Sequence, residues 1–512
     1  MNKTAQFAEH RGVIAEHKVI IVGCGHSGVI NAKKLLDIGV RDFVILEASS
    51  RVGGCWRDNT YPGCACDVPS AFYSYSFRTN PDWSHTYAGQ KEILSYIEAT
   101  VSDLRLDKKL RLETELIEAR WLPEERRWQL MTNRGEYRSQ FVIFATGPLT
   151  KASFPDIEGL DSFEGEMFHS VKWNHDYSLE GKRVAVIGTG ASSAQFIPEI
   201  QSKVKHLTIF QRTAPWVLPR PFDRDISDIE KLINQFTPVL QNLSRRRIEA
   251  LLVGVNYALT NPWAMKMVEP YVRKIIKKQV PERELRKKIS ADFMIGCKRI
   301  IFSNDYYPTL RKPHVDLIAS GLAAIDGNRA VAANGESAEV DAIIFGTGFD
   351  LAPPPIAKRI RGLDGRLMSE RWQDEGAQAY LGTTTYDLPN AFIMVGPNIM
   401  VYSSFIEIVE WQSNYVISAI QQMDDRDIEV FKLLESTCRV YNERVQANLQ
   451  KTVFNQGGCK SYYLDENGRN VASWPWSIPE LRRKLSHFDL ISYQIHPFRT
   501  EEPAPRLVSN SK

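Results

Sequence analysis

Residues 18–28 read Lys-Val-Ile-Ile-Val-Gly-Cys-Gly-His-Ser-Gly, and residues 182–193 read Lys-Arg-Val-Ala-Val-Ile-Gly-Thr-Gly-Ala-Ser-Ser. Each is an apolar, mostly β-branched run that ends in a glycine turn. A run without polar alternation suits a parallel strand covered on both faces. The first stretch predicts a strand over Val19–Val22, a helix over Val29–Ile38 closed by Gly39, and a second strand over Phe43–Leu46. The second predicts a strand over Val184–Ile187, a turn over Gly188–Ser193, a helix, and a strand over Leu207–Phe210. Two βαβ units therefore recur in one chain. The fold class expected is α/β, with two Rossmann-like dinucleotide-binding domains.

The turns carry chemistry. In Gly23-x-Gly25-x-x-Gly28 the first glycine permits the tight turn and the second lets backbone approach a pyrophosphate. The third lets helix and strand pack closely. The helix N-terminus supplies free N–H groups for the phosphates. In the second turn Ser193 stands where the third glycine belongs, and a small residue there still permits fairly close packing. Glu47 closes the second strand of the first unit, and a carboxylate accepts hydrogen bonds from ribose hydroxyls. Arg212 lies 24 residues after Gly188, as Glu47 lies 24 after Gly23. A guanidinium grips a 2′-phosphate that a carboxylate would repel. The first site therefore reads as FAD or NAD, the second as NADP, and together as an enzyme holding FAD and NADP(H).

Outward from the turns, the strands in 141–147 (FVIFATG) and 342–350 (AIIFGTGFD) end alike, in threonine–glycine turns where the chain leaves one nucleotide domain for the other. The expected division is an FAD domain over 1–148, an NADP domain over 149–221, a helical insertion over 222–292, a return to the NADP domain over 293–378 and to the FAD domain over 379–512. The basic stretch 272–289 reads as a solvated helical face, with a positive surface near the cofactor phosphates as its alternative. After Glu501 the chain turns polar and proline-rich, and fraying is expected.

Length and composition agree. At roughly 150 residues per domain, 512 residues suit two to four domains. With 43% apolar and 24% charged residues, intrinsic disorder, collagen-like repeats and a disulfide scaffold are excluded. A net charge of +3 over 64 basic and 61 acidic residues gives no sign of a nucleic-acid partner. Seven cysteines, Cys24, Cys55, Cys64, Cys66, Cys297, Cys438 and Cys459, include no CxxC pair and no zinc spacing. A core this size needs no staples, which fits a reducing compartment. Met1–Lys18 has no apolar leader, and no apolar run reaches the ~20 residues of a membrane helix. A cytoplasmic protein without membrane partner or metal is expected, its oligomeric state open.

Two stretches resemble a known family. Gly53-Gly54-Cys55-Trp56 through Tyr61-Pro62-Gly63 to Asp67 resembles the flavin-loop motif of type I Baeyer–Villiger monooxygenases. Phe163-x-Gly165-x-x-x-His169-x-x-x-Trp173-Asn174 resembles that family's fingerprint, with Asn174 where Pro or Asp is usual. The segments 296–310 (GCKRIIFSNDYYPTL) and 459–476 (CKSYYLDENGRNVASWPW) resemble its Lys-Arg segment and the C-terminal stretch of its hydroxyacetophenone-monooxygenase-like subgroup. After Gly396-Pro397-Asn398 the chain departs from that subgroup, with Ile-Met-Val-Tyr-Ser-Ser in place of a Thr-Gly-Leu-Gly-His-like run. The pocket wall is therefore sought in Ile399–Phe405 and around Trp411 and Trp474.

The resemblance implies that NADPH reduces FAD, that reduced flavin and O₂ form a peroxyflavin, and that this attacks a ketone to give an ester or lactone. It implies Arg299 as the cation beside the peroxide and Asp67 as its carboxylate partner. Implied flavin contacts are Gly23, Gly25, Ser27, Gly28, Glu47, Gly54, Cys55, Trp56, Asp67 and Tyr73. Implied NADP contacts are Gly188, Thr189, Gly190, Ser192, Ser193, Gln195, Arg212, Thr213, Lys298 and Arg299. Within the fingerprint, His169 reads as a linker residue coupling domain motion, with a general base as its alternative, and Trp173 as packing. Trp173 favours ketone oxygenation over a flavin monooxygenase acting on sulfur or nitrogen, where Tyr or Phe is more usual. A disulfide reductase needs a cysteine pair beside the flavin, and Cys55, Cys64 and Cys66 supply none.

Overall fold

The structure is a computed structural model and describes residues 13–349, 354–465 and 467–497. The polar tail after Glu501 lies outside the described residues.

Both nucleotide units form. In the first, strand β1 (Val13–Val22) leads into helix α1 (His26–Asp37) and strand β2 (Phe43–Leu46). β1 lies between β2 and strand β3 (Gly135–Phe144), both parallel to it. Val22 pairs with Leu46 and with Phe144, so the three strands end together. Their inner residues are fully buried, as β-branched runs covered on both faces require. The sheet has eight strands. β3 also takes antiparallel Arg127–Thr132 and parallel Ala391–Ile393 on one edge, at different heights.

The second sheet has five strands. Its members include β4 (Glu166–His169), β5 (Arg183–Ile187) and β6 (His206–Phe210), with helix α2 (Ala191–Ile200) between the last two. Strands β7 (Val315–Ile318) and β8 (Ala342–Phe345) return to it, β7 beside β6 and β8 between β4 and β5. Between β6 and β7 the chain makes helices α3 (Asp228–Phe236), α4 (Pro238–Thr260) and α5 (Pro262–Gln279).

Three expectations need correction. Helix α1 starts at His26, not Val29, because Gly25 is already the extended residue at its N-terminus. Ile360–Arg361, expected in the NADP stretch, pairs with Ala119–Arg120 of the first sheet, so the chain returns there earlier than residue 379. One staple is present: Cys297 is bonded to Cys459, with a Cα–Cα distance of 6.1 Å. The other five cysteines are free.

Candidate active site

Strand ends that finish together put both glycine turns beside the ends of their neighbours. At Gly23, with φ +103°, a Cβ would lie 2.7 Å from the Ala145 carbonyl oxygen, and at Gly28 it would overlap the Gly23 carbonyl. Gly25 and Gly54 face each other across bare backbone, a Cβ on Gly54 standing 3.2 Å from the Gly25 Cα. The pair makes a cradle that side chains would fill. Glu47 is buried, accepting from the Cys24 N–H (2.8 Å), the Ser49 N–H (3.0 Å) and Arg57 Nη1 (3.0 Å). Ser27 is buried in the first turn of α1, and Cys55 lies half-buried after the cradle. Trp56 donates its indole N–H to the Tyr73 hydroxyl at 3.0 Å. His26 packs edge-on against Tyr73 and meets the Tyr75 hydroxyl at 2.8 Å through Nδ1. Burial pushes its imidazole down to about 3, and its buried Nε2 has no partner.

At the second turn Gly188 has φ +97°, and Gly190 starts α2 in extended conformation. Ser193 is fully buried, and a Cβ on Gly346 would overlap its Oγ. The missing third glycine is thus supplied from the end of β8. Ser192 is half-buried on the first turn of α2, and Thr189 Oγ1 lies 3.4 Å from the Thr213 carbonyl. Ile187 pairs with Phe210, so Gly188 stands opposite Gln211 rather than Arg212. Arg212 is therefore one residue beyond the position of Glu47, which is a correction to the count of 24. Alternation along the chain explains the outcome: Gln211 is buried, and Arg212 is exposed with its stem over Gly321. Lys298 lies near it. Burial first, then the Arg212 charge, hold Lys298 below the usual lysine range.

Asp67 and Arg299 meet where the two halves join. Arg299 Nη2 is 2.7 Å from Asp67 Oδ2 and 2.8 Å from Oδ1, and Nε is 3.1 Å from Oδ2. The Asp67 charge keeps the guanidinium protonated well above its ordinary range. Its side chain is still 42% exposed. Tyr402 and Tyr462 share its electrostatic surroundings. Burial raises the Cys64 thiol to about 12 and the Cys55 thiol to about 11, so neither is a thiolate near neutral pH.

The fingerprint is a joint. A Cβ on Gly165 would lie 2.5 Å from the ring of buried Phe163. His169 Nδ1 accepts from the Val171 N–H at 3.2 Å, and its ring packs edge-on against Phe154 and Phe349 in the crossings between sheets. Burial lowers its pKa. Trp173 packs on Phe168 and Phe196, and Phe196 on Tyr61 of the flavin loop. Asn174 Oδ1 accepts from the Asp176 N–H at 3.0 Å, a turn an Asp would make equally. Gln195 spans to the flavin loop: Nε2 donates to the Ala65 carbonyl (2.9 Å), and Oε1 accepts from the Tyr61 hydroxyl (2.9 Å).

With two cradles, a buried carboxylate at one strand end and a free cation near the other, the comparisons with known proteins become decisive. The model of the family described as flavin-binding monooxygenase-like matches residues 16–421. The chain belongs to that family. This monooxygenase is 43% identical to a Baeyer–Villiger monooxygenase of Streptomyces coelicolor, over 95% of this chain and 94% of the relative. It is 42% identical to one of Pseudomonas aeruginosa, over 93% and 91%. Among solved structures it resembles oxidised steroid monooxygenase bound to NADP, with TM-score 0.82 and 27% identity over 94% of this chain and all of that one. It also resembles OTEMO in complex with FAD and NADP, with TM-score 0.82 and 25% identity over 94% and 99%. The α/β fold with FAD and NADP domains is the one expected from the sequence.

Sequence reasoning missed four features of the monooxygenase's site. Tyr402 lies in the segment sought as pocket wall and Tyr462 in the 459–476 stretch, but their place beside Arg299 was not read from either. Arg220 carries a buried, unpartnered Nε and lies over the Tyr87 ring. Its signal was its place just after Val217–Leu218, which pairs with Ile301–Phe302 just after Arg299. The fourth is the Cys297–Cys459 bond, tying the Arg299 segment to the C-terminal loop. Trp474, sought in the pocket wall, is fully buried.

Proposed function

We propose that this Baeyer–Villiger monooxygenase inserts one oxygen atom of O₂ beside a ketone carbonyl, giving an ester or lactone, with Arg299 as the charge that makes the step possible. The enzyme is an NADPH-dependent flavoprotein. The residues fit both cofactors. The Gly25–Gly54 cradle, buried Glu47 and the orphan His26 Nε2 suit FAD. The Gly188–Gly190 turn, exposed Arg212 and nearby Lys298 suit NADP(H). FAD, when bound, supplies the electron transfer and oxygen activation.

The chain's own contribution is position and charge. The Asp67–Arg299 pair carries the reading. Asp67 orients a guanidinium that keeps its proton near neutral pH, beside the flavin loop and behind Lys298. Such a group stabilises negative charge developing on oxygen without giving up a proton. Losing it costs about 3 kcal/mol in the oxygenating steps, by analogy with a lost oxyanion donor. Trp173, Phe196 and Tyr61, with Gln195, couple the two nucleotide halves, and His169 sits at the crossing as a linker. The chain divides into an FAD domain drawn from both ends, an NADP domain within it and a helical insertion. The stretch 459–476 supports placement in the hydroxyacetophenone-monooxygenase-like subgroup, and the need for NADPH supports a cytoplasmic setting.

The test is a ketone panel with NADPH and O₂, with products identified by mass spectrometry. Ester or lactone from at least one ketone is expected. Sulfide or amine oxidation with no ester from any ketone would assign the chain to the heteroatom oxidisers instead.

A further inference from the structure

The helical insertion exposes what a water-facing surface normally hides. Of 25 large hydrophobic side chains exposed among the described residues, 13 lie within residues 229–271. They follow helical spacing. On α5, Trp263, Met267 and Tyr271 share one stripe and are 59%, 72% and 67% exposed. On α4, Val239, Leu243 and Leu251 share another. The inner faces are used differently. Gln241 donates to the Asn80 carbonyl, Arg245 to the carbonyls of Ala71 and Ser74, and Asn256 to that of Trp476. The insertion is thus anchored on one side and bare on the other.

The bare side is also basic. Residues 228–288 hold thirteen Lys and Arg against six Asp and Glu, a net +7 where the whole chain has +3, so the remainder is acidic. Arg246 and Arg247 interrupt the α4 stripe, and Lys266, Lys274 and Lys278 flank the α5 stripe, all exposed. Arg273 and Lys287 have carboxylate partners on their own helices. Among the described residues none of those five outward cations is in an ion pair.

We propose that the outer face of α4 and α5 docks on an anionic lipid bilayer, lying in the headgroup plane. Apolar side chains gain by entering the acyl boundary, and cations beside them gain from acidic headgroups. A second copy is the poorer occupant. A two-fold contact sets the same patch against itself, and here that opposes two basic surfaces. No described helix is long and apolar enough to cross a membrane, so the mode is surface attachment. It goes beyond the reading of 272–289 as a solvated face and departs from the expectation of no membrane partner. It does not depend on the reaction assigned above.

The experiment sediments the FAD-loaded enzyme with vesicles of phosphatidylcholine alone or mixed equally with phosphatidylglycerol. Binding is expected to the mixed vesicles, weakening as salt rises, with little to phosphatidylcholine. Met267→Glu, and Lys274→Glu with Lys278→Glu, each lower the partition about tenfold or more, while melting temperature and NADPH oxidation with a water-soluble ketone stay unchanged. Three outcomes overturn the proposal: no binding to the mixed vesicles, equal binding by the variants, or a concentration-dependent dimer that Met267→Glu abolishes.

Discussion

At the first glycine turn Gly23 stands opposite Glu47, and at the second Gly188 stands opposite Gln211, with Arg212 one residue further out. The backbones match, but the strand ends do not. Glu47 is buried and held by three donors of its own chain. Arg212 is exposed and, among the described residues, in no ion pair. A fixed acceptor suits a cofactor that stays bound, and a free cation suits one that exchanges at each turnover. Preorganisation at one end and freedom at the other is what the difference teaches.

Breaking the fixed side has the larger effect. Glu47→Ala leaves the Cys24 and Ser49 N–H groups without their acceptor, while Arg57 keeps Asp58 and the Arg51 carbonyl, and a loss of about 2 kcal/mol in stability is expected, with FAD occupancy falling. Thermal melts and flavin absorbance per protein check it, and unchanged occupancy would count against Glu47 as an anchor. Removing Arg212 acts on preference instead. In Arg212→Ala the ratio of kcat/KM for NADPH over NADH falls about tenfold to a hundredfold, the worth of hydrogen bonds to a charged group. An unaltered ratio moves the 2′-phosphate elsewhere.

Acid separates the turns next. The first has His26 where the second has Ala191. A folded-state value near 3 against 6.5 unfolded means that His26 binds its proton more readily in the unfolded chain. Stability therefore falls as pH drops below 6.5 and levels off near 3, by about 1.4 kcal/mol at pH 5.5. His26→Asn flattens that limb in urea melts at several pH values. The smallest effect sharpens the packing comparison. Gly346→Ala costs about 1 kcal/mol by crowding Ser193 Oγ, and adding Ser193→Gly returns it.

Strands and turns were legible because β-branched runs and glycines are local signals. Register was not. Counting 24 residues places Arg212 opposite Gly188, but pairing across the sheet decides, and there Ile187 meets Phe210. The role of Gly346 lay in plain view as a threonine–glycine turn, yet its fit to Ser193 needs two strands side by side. Asn174 reads as a departure, though its side chain preserves the turn. The meeting of Asp67 and Arg299 came only through resemblance, since 232 residues separate them. The Cys297–Cys459 bond spans 162 residues, and Tyr402, Tyr462 and Arg220 converge from separate loops. No periodicity records such convergence.

Arg299 is proposed as the charge both nucleotide sites work with, and one measurement tests that proposal most directly. In Arg299→Ala, flavin content and the anaerobic rate of flavin reduction by NADPH are compared with ester formed per NADPH consumed in air. The account predicts bound, reducible flavin with ester yield down a hundredfold or more, from about 3 kcal/mol of lost charge stabilisation. Wild-type ester yield in that variant would contradict it.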